Sequence, residues 1–411
     1  MRKFIQSACF SQTIKCSDRS NVPHPIRLFV DRDVVFPKNH KLPHISLALG
    51  EPVKANGFLM PPKAKQAVIN AIQSEDFNGY TPSFGTPAAR LAVAKKFGNS
   101  DYPLAMSDVF MTVGSYSALY LTFMTLCNKG DNILEPEPGF PMTSNAHNLG
   151  YSTRYFKLRP EKDWEVDLED MEKKITKKTK AILLNNPSNP CGSVWSKNHL
   201  LDIIKVAMKK DIPIVSDEAY HSIAFGDQQF HSIGHQTKKH PIICTGSMSK
   251  MYCIPGWRVG WGLVYDYEGR LDEFRKNIYM ATSLTLHPPS IVQAAIPAFF
   301  EESDEFLMQY NKKLGRCYEN FYNNFTKING LVPMKAYGSI YMMVKLDFTK
   351  FKNIKDDKEF SLKLLAEKNL FVMPASLLRM YGFIRVLLCC SDENQKEVLR
   401  RLTEFCNDNK A

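Results

Sequence analysis

No stretch of this chain approaches the roughly 18 consecutive apolar residues that a membrane-spanning helix requires. Its 411 residues also lack a Cys-x-x-Cys pair, a zinc-ligand spacing, an internal repeat and a low-complexity tract. These absences set aside a membrane protein, a zinc or thioredoxin-like module, and a solenoid or fibrous array. The ten cysteines fall at irregular positions, several inside apolar runs (Cys127, Cys244, Cys389, Cys390). That usage reads as reduced thiols in an intracellular compartment and excludes a disulfide scaffold. Acid is missing from residues 1 to 17, which hold Arg2, Lys3 and Lys15. Such a composition suits an organelle presequence or an unstructured arm alike. The expected location is cytoplasmic, with a mitochondrial one as the alternative.

Basic residues outnumber acidic ones, 53 to 42, for a formal charge of +11. They are interleaved with acids, however: Lys173, Lys174, Lys177 and Lys178 follow Asp167, Glu169, Asp170 and Glu172. With no basic stripe and no helix-turn-helix signal, nucleic acid is not an expected partner. A diffuse positive balance favours small anionic substrates. The hydrophobic content of 44% describes a soluble globular protein with a large core, long enough for about two to three domains.

From about residue 65 helical patterns alternate with short apolar runs, which predicts an α/β fold. The runs Val109–Val113, Ala181–Leu184, Ile212–Val215 and Ile242–Cys244 are apolar on successive residues, as strands buried on both faces of a parallel sheet are. A smaller C-terminal unit is predicted from a strand at Gly338–Val344, a helix at Glu359–Glu367, a strand at Phe383–Leu388 and a last helix capped by Ser391, with Val398, Leu399, Leu402 and Phe405 on one face. Ile45–Gly50 is expected to approach this unit. The resulting division is an N-terminal arm at 1–38, a segment at 39–74 joining the small domain, a large domain at 75–325 and a small α+β domain at 326–411.

Ligands of open α/β sheets collect beyond the carboxyl ends of the strands, and four such exits carry reactive residues. After Val113 comes Gly114-Ser115-Tyr116, a tight turn into an apolar helix, whose free amides suit phosphate. After Leu184 comes Asn185-Asn186-Pro187-Ser188-Asn189-Pro190-Cys191-Gly192, an irregular loop able to present the Asn189 amide. After Val215 comes Ser216-Asp217-Glu218-Ala219-Tyr220. A carboxylate there needs a charged partner, which a protonated pyridine nitrogen would be; a metal ion or a helix cap is the other reading. After Cys244 comes Ser247-Met248-Ser249-Lys250, with Arg258 eight residues later in Gly256-Trp257-Arg258. A lysine amine among hydroxyls and a guanidinium suits a Schiff base with a carbonyl compound that also carries an anion. Pyridoxal 5′-phosphate meets every one of these demands together.

These motifs, Ser-x-Ser-Lys, Gly-Trp-Arg, Asn-Pro-x-Asn-Pro-x-Gly and Asp-x-x-Tyr, resemble those of the fold type I (class I and II) pyridoxal-phosphate aminotransferases over residues 20 to 411. Within that family His24-Pro25-Ile26-Arg27, Arg159–Leu168 and Asn189–Val194 are most similar to the tyrosine aminotransferases. The resemblance implies a three-layer α/β/α large domain with a mostly parallel sheet plus a smaller α+β domain. It implies that Lys250 carries the cofactor, Asp217 pairs with the ring nitrogen, and Asn189 and Tyr220 bond the ring oxygen. Phe140 would stack on the ring; Ser115, Tyr116, Ser247 and Arg258 would form the phosphate cup. Arg385 would grip the substrate α-carboxylate with its planar fork, and Gly50 would offer a backbone contact nearby. Tyr80 would reach the phosphate from the other subunit, so a homodimer is implied.

Two departures stand out. Tyr116 replaces a small residue, so its side chain is expected to point away and its amide alone to serve. Residues 283–289 lack the arginine that dicarboxylate-specific relatives place there. The expected reaction is transamination of an L-amino acid, aromatic by preference, with a 2-oxo acid such as 2-oxoglutarate. The alternatives are another amino-acid aminotransferase (alanine, aspartate, kynurenine or broad), a β-lyase on the same cofactor, and a cofactor-holding regulator without turnover.

Overall fold

The computed structural model describes residues 17, 24–144 and 146–411. Arg2, Lys3 and Lys15 of the presequence-like stretch lie outside the described residues. No helix among those described is long and apolar enough to cross a membrane.

An eight-stranded sheet dominates the fold. It contains β2 (Val109–Thr112), β3 (Asn132–Glu137), β4 (Ser152–Arg159), β5 (Glu165–Val166), β6 (Thr179–Asn185), β7 (Ile214–Asp217), β8 (Ile242–Ser247) and β9 (Gly260–Tyr265), in the spatial order β2-β9-β8-β7-β6-β3-β4-β5. Strands β3, β4, β6, β7 and β8 pair in parallel, while β9 runs antiparallel to both β8 and β2, and β5 antiparallel to β4. The central strands β7, β8 and β9 are buried along their whole lengths, because helices cover both faces; the polar residues Ser216, Asp217, Thr245 and Ser247 come toward the ends of β7 and β8. Since β9 alone is reversed among the strands beside the site, its beginning lies at the edge where β2, β8, β7 and β6 end. The four expected exits are therefore not immediate neighbours: β9 separates the exit of β2 from that of β8.

A second, antiparallel sheet is formed by β10 (Leu331–Pro333), β11 (Tyr341–Leu346), β13 (Met373–Pro374) and β14 (Phe383–Leu387), in the order β10-β11-β14-β13. The predicted strand at Gly338–Val344 is displaced: Gly338 makes an isolated bridge with Ala224, residues 339–340 turn, and pairing with β14 begins at Tyr341. Helix Asp357–Lys368 starts at Asp356, whose carboxylate accepts from Glu359 N at 2.8 Å. Helix Asp392–Asp408 starts at Ser391, whose hydroxyl accepts from Asn394 N at 3.2 Å, and it buries Val398, Leu402 and Phe405.

The beginning of the chain is drawn onto this C-terminal unit. β1 (Ile45–Ser46) pairs in parallel with β12 (Leu370–Phe371), and Leu387 N donates to Leu47 O at 2.9 Å. The fully buried Arg401 holds the junction, pairing with Glu397 at 2.7 Å and donating to the carbonyls of Pro43, Lys368 and Asn369. Two packing features of this region bear on the expected division. The arm expected to end at 38 is packed from Ile26 onward, because Ile26, Phe29, Val30 and Val34 form an apolar cluster with Leu365, Phe371, Met373 and Leu378. The segment expected to join the small unit up to 74 does so only in its first part. Helix Pro62–Ser74 turns Ala64 and Ala71 inward and packs instead on helix Ser290–Glu301.

Candidate active site

The strand ends and the reversed start of β9 surround a cavity of about 730 Å³, a size suited to a cofactor with its substrate. At the end of β8 the chain passes from Ser247 into a single helical turn, Met248–Met251, that carries Lys250 into the cavity. There Lys250 Nζ donates to Gly50 O at 2.5 Å.

β7 delivers Asp217. Its carboxylate accepts long hydrogen bonds from Ala219 N (3.2 Å) and Thr245 Oγ1 (3.3 Å), and no cation among the described residues pairs with it. Burial pushes its pKa up to about 6. Tyr220 follows in the next turn, its hydroxyl 3.4 Å from that of Tyr341; burial holds this phenol well above its ordinary range. At the end of β6, Asn185 stitches the site together by accepting from Asn189 N (2.7 Å) and donating to Asp217 O (3.0 Å).

Asn189 itself accepts from Arg385 Nη1 at 2.7 Å, which leaves its amide donor for a ligand. Arg385, on β14, also donates through Nη2 to Ala48 O at 2.5 Å, and its guanidinium lies 4.1 Å from the centre of the Tyr341 ring. It is buried, its Nε has no partner, and no carboxylate among the described residues neutralises it.

The opposite end of the cavity is built where β2 turns into helix Ser115–Leu126. The first residues of that helix, Ser115 and Tyr116, line the cavity beside Ser247 and Arg258, where a helix start leaves its first amides without partners in the helix. Arg258 donates to Pro255 O (2.9 Å) and Val113 O (3.3 Å), and it too lacks an acidic partner among the described residues. The Tyr116 hydroxyl is engaged by Ser144 at 2.9 Å. Phe140 comes from the exit of β3, its amide donating to Asn189 O at 3.1 Å and its ring 5.3 Å from that of His24.

Lys250, Asp217, Tyr220, Asn189, Arg385, Arg258, Ser115, Tyr116, Ser247, Phe140 and Gly50 are thus gathered around one space. Tyr80 is not: it lies outside the cavity, 94% exposed, its ring 6.5 Å from that of His287. Tyr341, Asn185, Thr245, His24 and Arg27 belong to the site and were not singled out from the sequence. Of these, Asn185 stood in the quoted Asn-Pro loop, Tyr341 in a predicted strand, and His24 and Arg27 in a segment of resemblance, each without a role.

The electrostatics define the ligand. Arg27, Lys250, Arg258 and Arg385 face the cavity against the carboxylates of Glu51 and Asp217. An anion is wanted at the Ser115–Arg258 end, a second anion at Arg385, and a cation at Asp217, with an amine between them. Among the described residues no cluster of His, Cys, Asp or Glu is arranged to hold a metal ion.

Comparison with known proteins agrees with this arrangement. The family model described as aminotransferase class I and II matches residues 43–402. A tyrosine aminotransferase of Dictyostelium discoideum is 34% identical over 95% of both chains, and one of Mus musculus is 34% identical over 96% of this chain and 87% of its own. The crystal structure of tyrosine aminotransferase from Leishmania infantum superposes with a TM-score of 0.92 at 29% identity, covering 97% of this chain and all of the other. With Lys250, the buried Asp217, Arg258 and Arg385 gathered around one cavity and the family model matching most of its length, the chain belongs to the class I and II aminotransferases.

Proposed function

We propose that the cavity holds pyridoxal 5′-phosphate and that the protein moves the amino group of an L-amino acid, tyrosine foremost, to a 2-oxo acid such as 2-oxoglutarate. The observation that carries this reading is the set of charges around Lys250 left unmet among the described residues: a buried carboxylate without a cation at Asp217, and buried or cavity-facing guanidiniums without anions at Arg385 and Arg258. Lys250 would hold the group through its ε-amine and Asp217 would face its ring nitrogen. Asn189 and Tyr220 would bond its ring oxygen, and Phe140 would cover its face. Ser115, Ser247, Arg258 and the Tyr116 amide would bind its phosphate. When bound, the group supplies an aldehyde that takes up amines and a ring that accepts the electron pair left at Cα.

The protein's own part follows from the geometry. Arg385 binds the substrate α-carboxylate bidentately with its planar fork. Lys250 takes the proton from Cα as a general base and returns it as an acid. A cation about 4 Å from Asp217, at an effective dielectric of about 20, contributes roughly 4 kcal/mol, enough to keep that carboxylate ionised despite its burial. Ile26, Leu49, Phe140 and Met142 on the cavity wall suit an apolar or aromatic side chain, and the similarity to tyrosine aminotransferases supports the same preference.

The exposed Tyr80, together with Met280 and Leu284 (67% and 73% exposed), supports a homodimer in which Tyr80 reaches the partner's phosphate site.

Absorbance and rate measurements test the reading. The purified protein should be yellow with the vitamer, and Lys250→Ala should lose both the visible band and multiple turnover. Rates with 2-oxoglutarate should fall in the order tyrosine and phenylalanine, then methionine, alanine and aspartate. A colourless protein, or a Lys250→Ala variant with full turnover, overturns the cofactor site. Ammonia and an oxo acid released without an acceptor would replace transamination by a lyase reaction.

A further inference from the structure

Tyr341 has no part in the roles assigned so far, yet it touches Arg385, Tyr220 and the space beside Gly50. It is 3% exposed, on β11. In the antiparallel pair of β11 and β14, Met343 stands opposite Arg385, so Tyr341 is the diagonal neighbour on the same face, within reach of an aromatic ring. That register lays the ring against the guanidinium, 4.1 Å from its carbon. The hydroxyl at the far end lies 3.4 Å from that of Tyr220. The same hydroxyl fills the space beside Gly50, where an added Cβ would stand 1.9 Å from it, and the carbonyl of Gly50 receives the Lys250 ammonium.

We propose that Tyr341 is a positioning residue with two separable duties: its ring orients Arg385 for the substrate carboxylate, and its hydroxyl shares the proton of Tyr220. The first duty follows from the bonding of Arg385. Two of its nitrogens are tied to Asn189 and Ala48, its Nε is unbonded, and no acid among the described residues holds it, so the aromatic face supplies the remaining restraint on the plane of the fork. Stacking also favours the guanidinium's charge without competing for its donors. The second duty follows from the surroundings of Tyr220, whose hydroxyl is faced by Tyr341, Arg385 and Asp217, with Tyr310 beyond. Of these, Tyr341 is the one whose hydroxyl the Tyr220 proton reaches, at 3.4 Å, so an arriving ring oxygen shares that proton with it.

This inference rests on the reading of the cavity given above, and its test is chosen to fail separately. Wild type, Tyr341→Phe and Tyr341→Leu are compared as holoenzymes. Each is titrated calorimetrically with 3-phenylpropionate, a carboxylate without an amine, and each is titrated with acid by the absorbance of the bound cofactor without substrate. In Tyr341→Leu the affinity for 3-phenylpropionate should fall about tenfold, with KM for tyrosine rising in step and kcat falling much less. In Tyr341→Phe the affinity should stay within about twofold, the ring being kept. Its absorbance transition should move to lower pH, because Tyr220 then donates undividedly to the cofactor oxygen. Unchanged carboxylate affinity in Tyr341→Leu overturns the first duty, as does an equal loss in Tyr341→Phe. An unmoved transition in Tyr341→Phe overturns the second. If Tyr341→Leu does not fold, the Phe variant decides alone: an affinity loss or an unmoved transition there sinks the proposal. A wild type that binds no cofactor refutes the underlying reading instead.

Discussion

The Arg258 guanidinium occupies the space that a side chain on Gly114 would need: a Cβ built there would lie 2.2 Å from Nη2. Gly114 also has φ +85° and ψ 165°, a region open essentially to glycine alone. The turn that frees the first amides of helix Ser115–Leu126 and the arginine beside them are therefore one device, with the missing side chain as its condition.

Gly114→Ala should separate these parts. The backbone cost is about 1–3 kcal/mol, and Arg258 must leave its carbonyl partners to make room. Thermal unfolding of the cofactor-free protein should show the lost stability, and fluorescence titration should show cofactor affinity reduced by at least about tenfold. Wild-type values in both would mean that the guanidinium is not confined as described.

Asp217→Asn should act in opposite directions with and without cofactor. Burial raises the carboxyl to about 6, above its unfolded value, so the folded cofactor-free protein holds the proton more tightly than the unfolded chain. Its contribution therefore turns against folding as pH rises from about 4 through 6, and the cost is complete above that window. At pH 8 the cofactor-free Asn variant should be more stable than wild type by up to about 3 kcal/mol, the difference vanishing near pH 4. The loaded variant should lose at least about a hundredfold in kcat. Parallel melting curves for the two cofactor-free proteins from pH 4 to 8 would contradict the burial argument.

Tyr80→Ala and Lys250→Ala subunits, each poorly active alone, should complement when mixed and reassociated. In the hybrid, one cavity has its own Lys250 and receives Tyr80 from the neighbouring subunit. Specific activity per hybrid dimer should approach half that of wild type, read after separating hybrids by differential tags. No recovery would place Tyr80 in its own subunit's function or in none.

Arg401→Met should weaken the junction between the start and end of the chain. Three carbonyls and Glu397 lose a buried donor, a cost of about 3 kcal/mol. Urea unfolding should show the loss while cofactor absorbance at low urea stays normal. A midpoint equal to wild type would show that water replaces the guanidinium without penalty.

What could be seen in the sequence was what depends on neighbours along the chain. The runs at Ala181–Leu184 and Ile242–Cys244 became central strands because unbroken apolar character has few other uses, and each carried its reactive residue just past its end. β3 escaped notice because Asn132-Ile-Leu-Glu-Pro-Glu137 does not look buried. Glu135 is buried nonetheless, accepting from Thr143 at 2.9 Å and lying 3.3 Å from Arg379, a partner more than two hundred residues away. Tyr341 was hidden for a similar reason. Its strand was visible, but its meaning depends on the register with β14 and on the loop at Gly50, neither of which leaves a trace at position 341. The reversal of β9 likewise has no local signature: Gly260–Tyr265 would form a strand in either direction.

The hydrogen bond from Arg385 to Ala48 spans 337 residues of sequence, and β1 has no sheet to join before β12 exists. At about 5–20 residues per second of translation, the early segment that gives Lys250 its carbonyl partner waits tens of seconds on the ribosome. During that interval Ile26, Phe29 and Val30 lack Leu365, Phe371, Met373 and Leu378, the C-terminal part of their apolar cluster. A nascent chain of this protein is thus a candidate for chaperone capture at its front end, and Lys250 acquires its full surroundings only after the last strand is released.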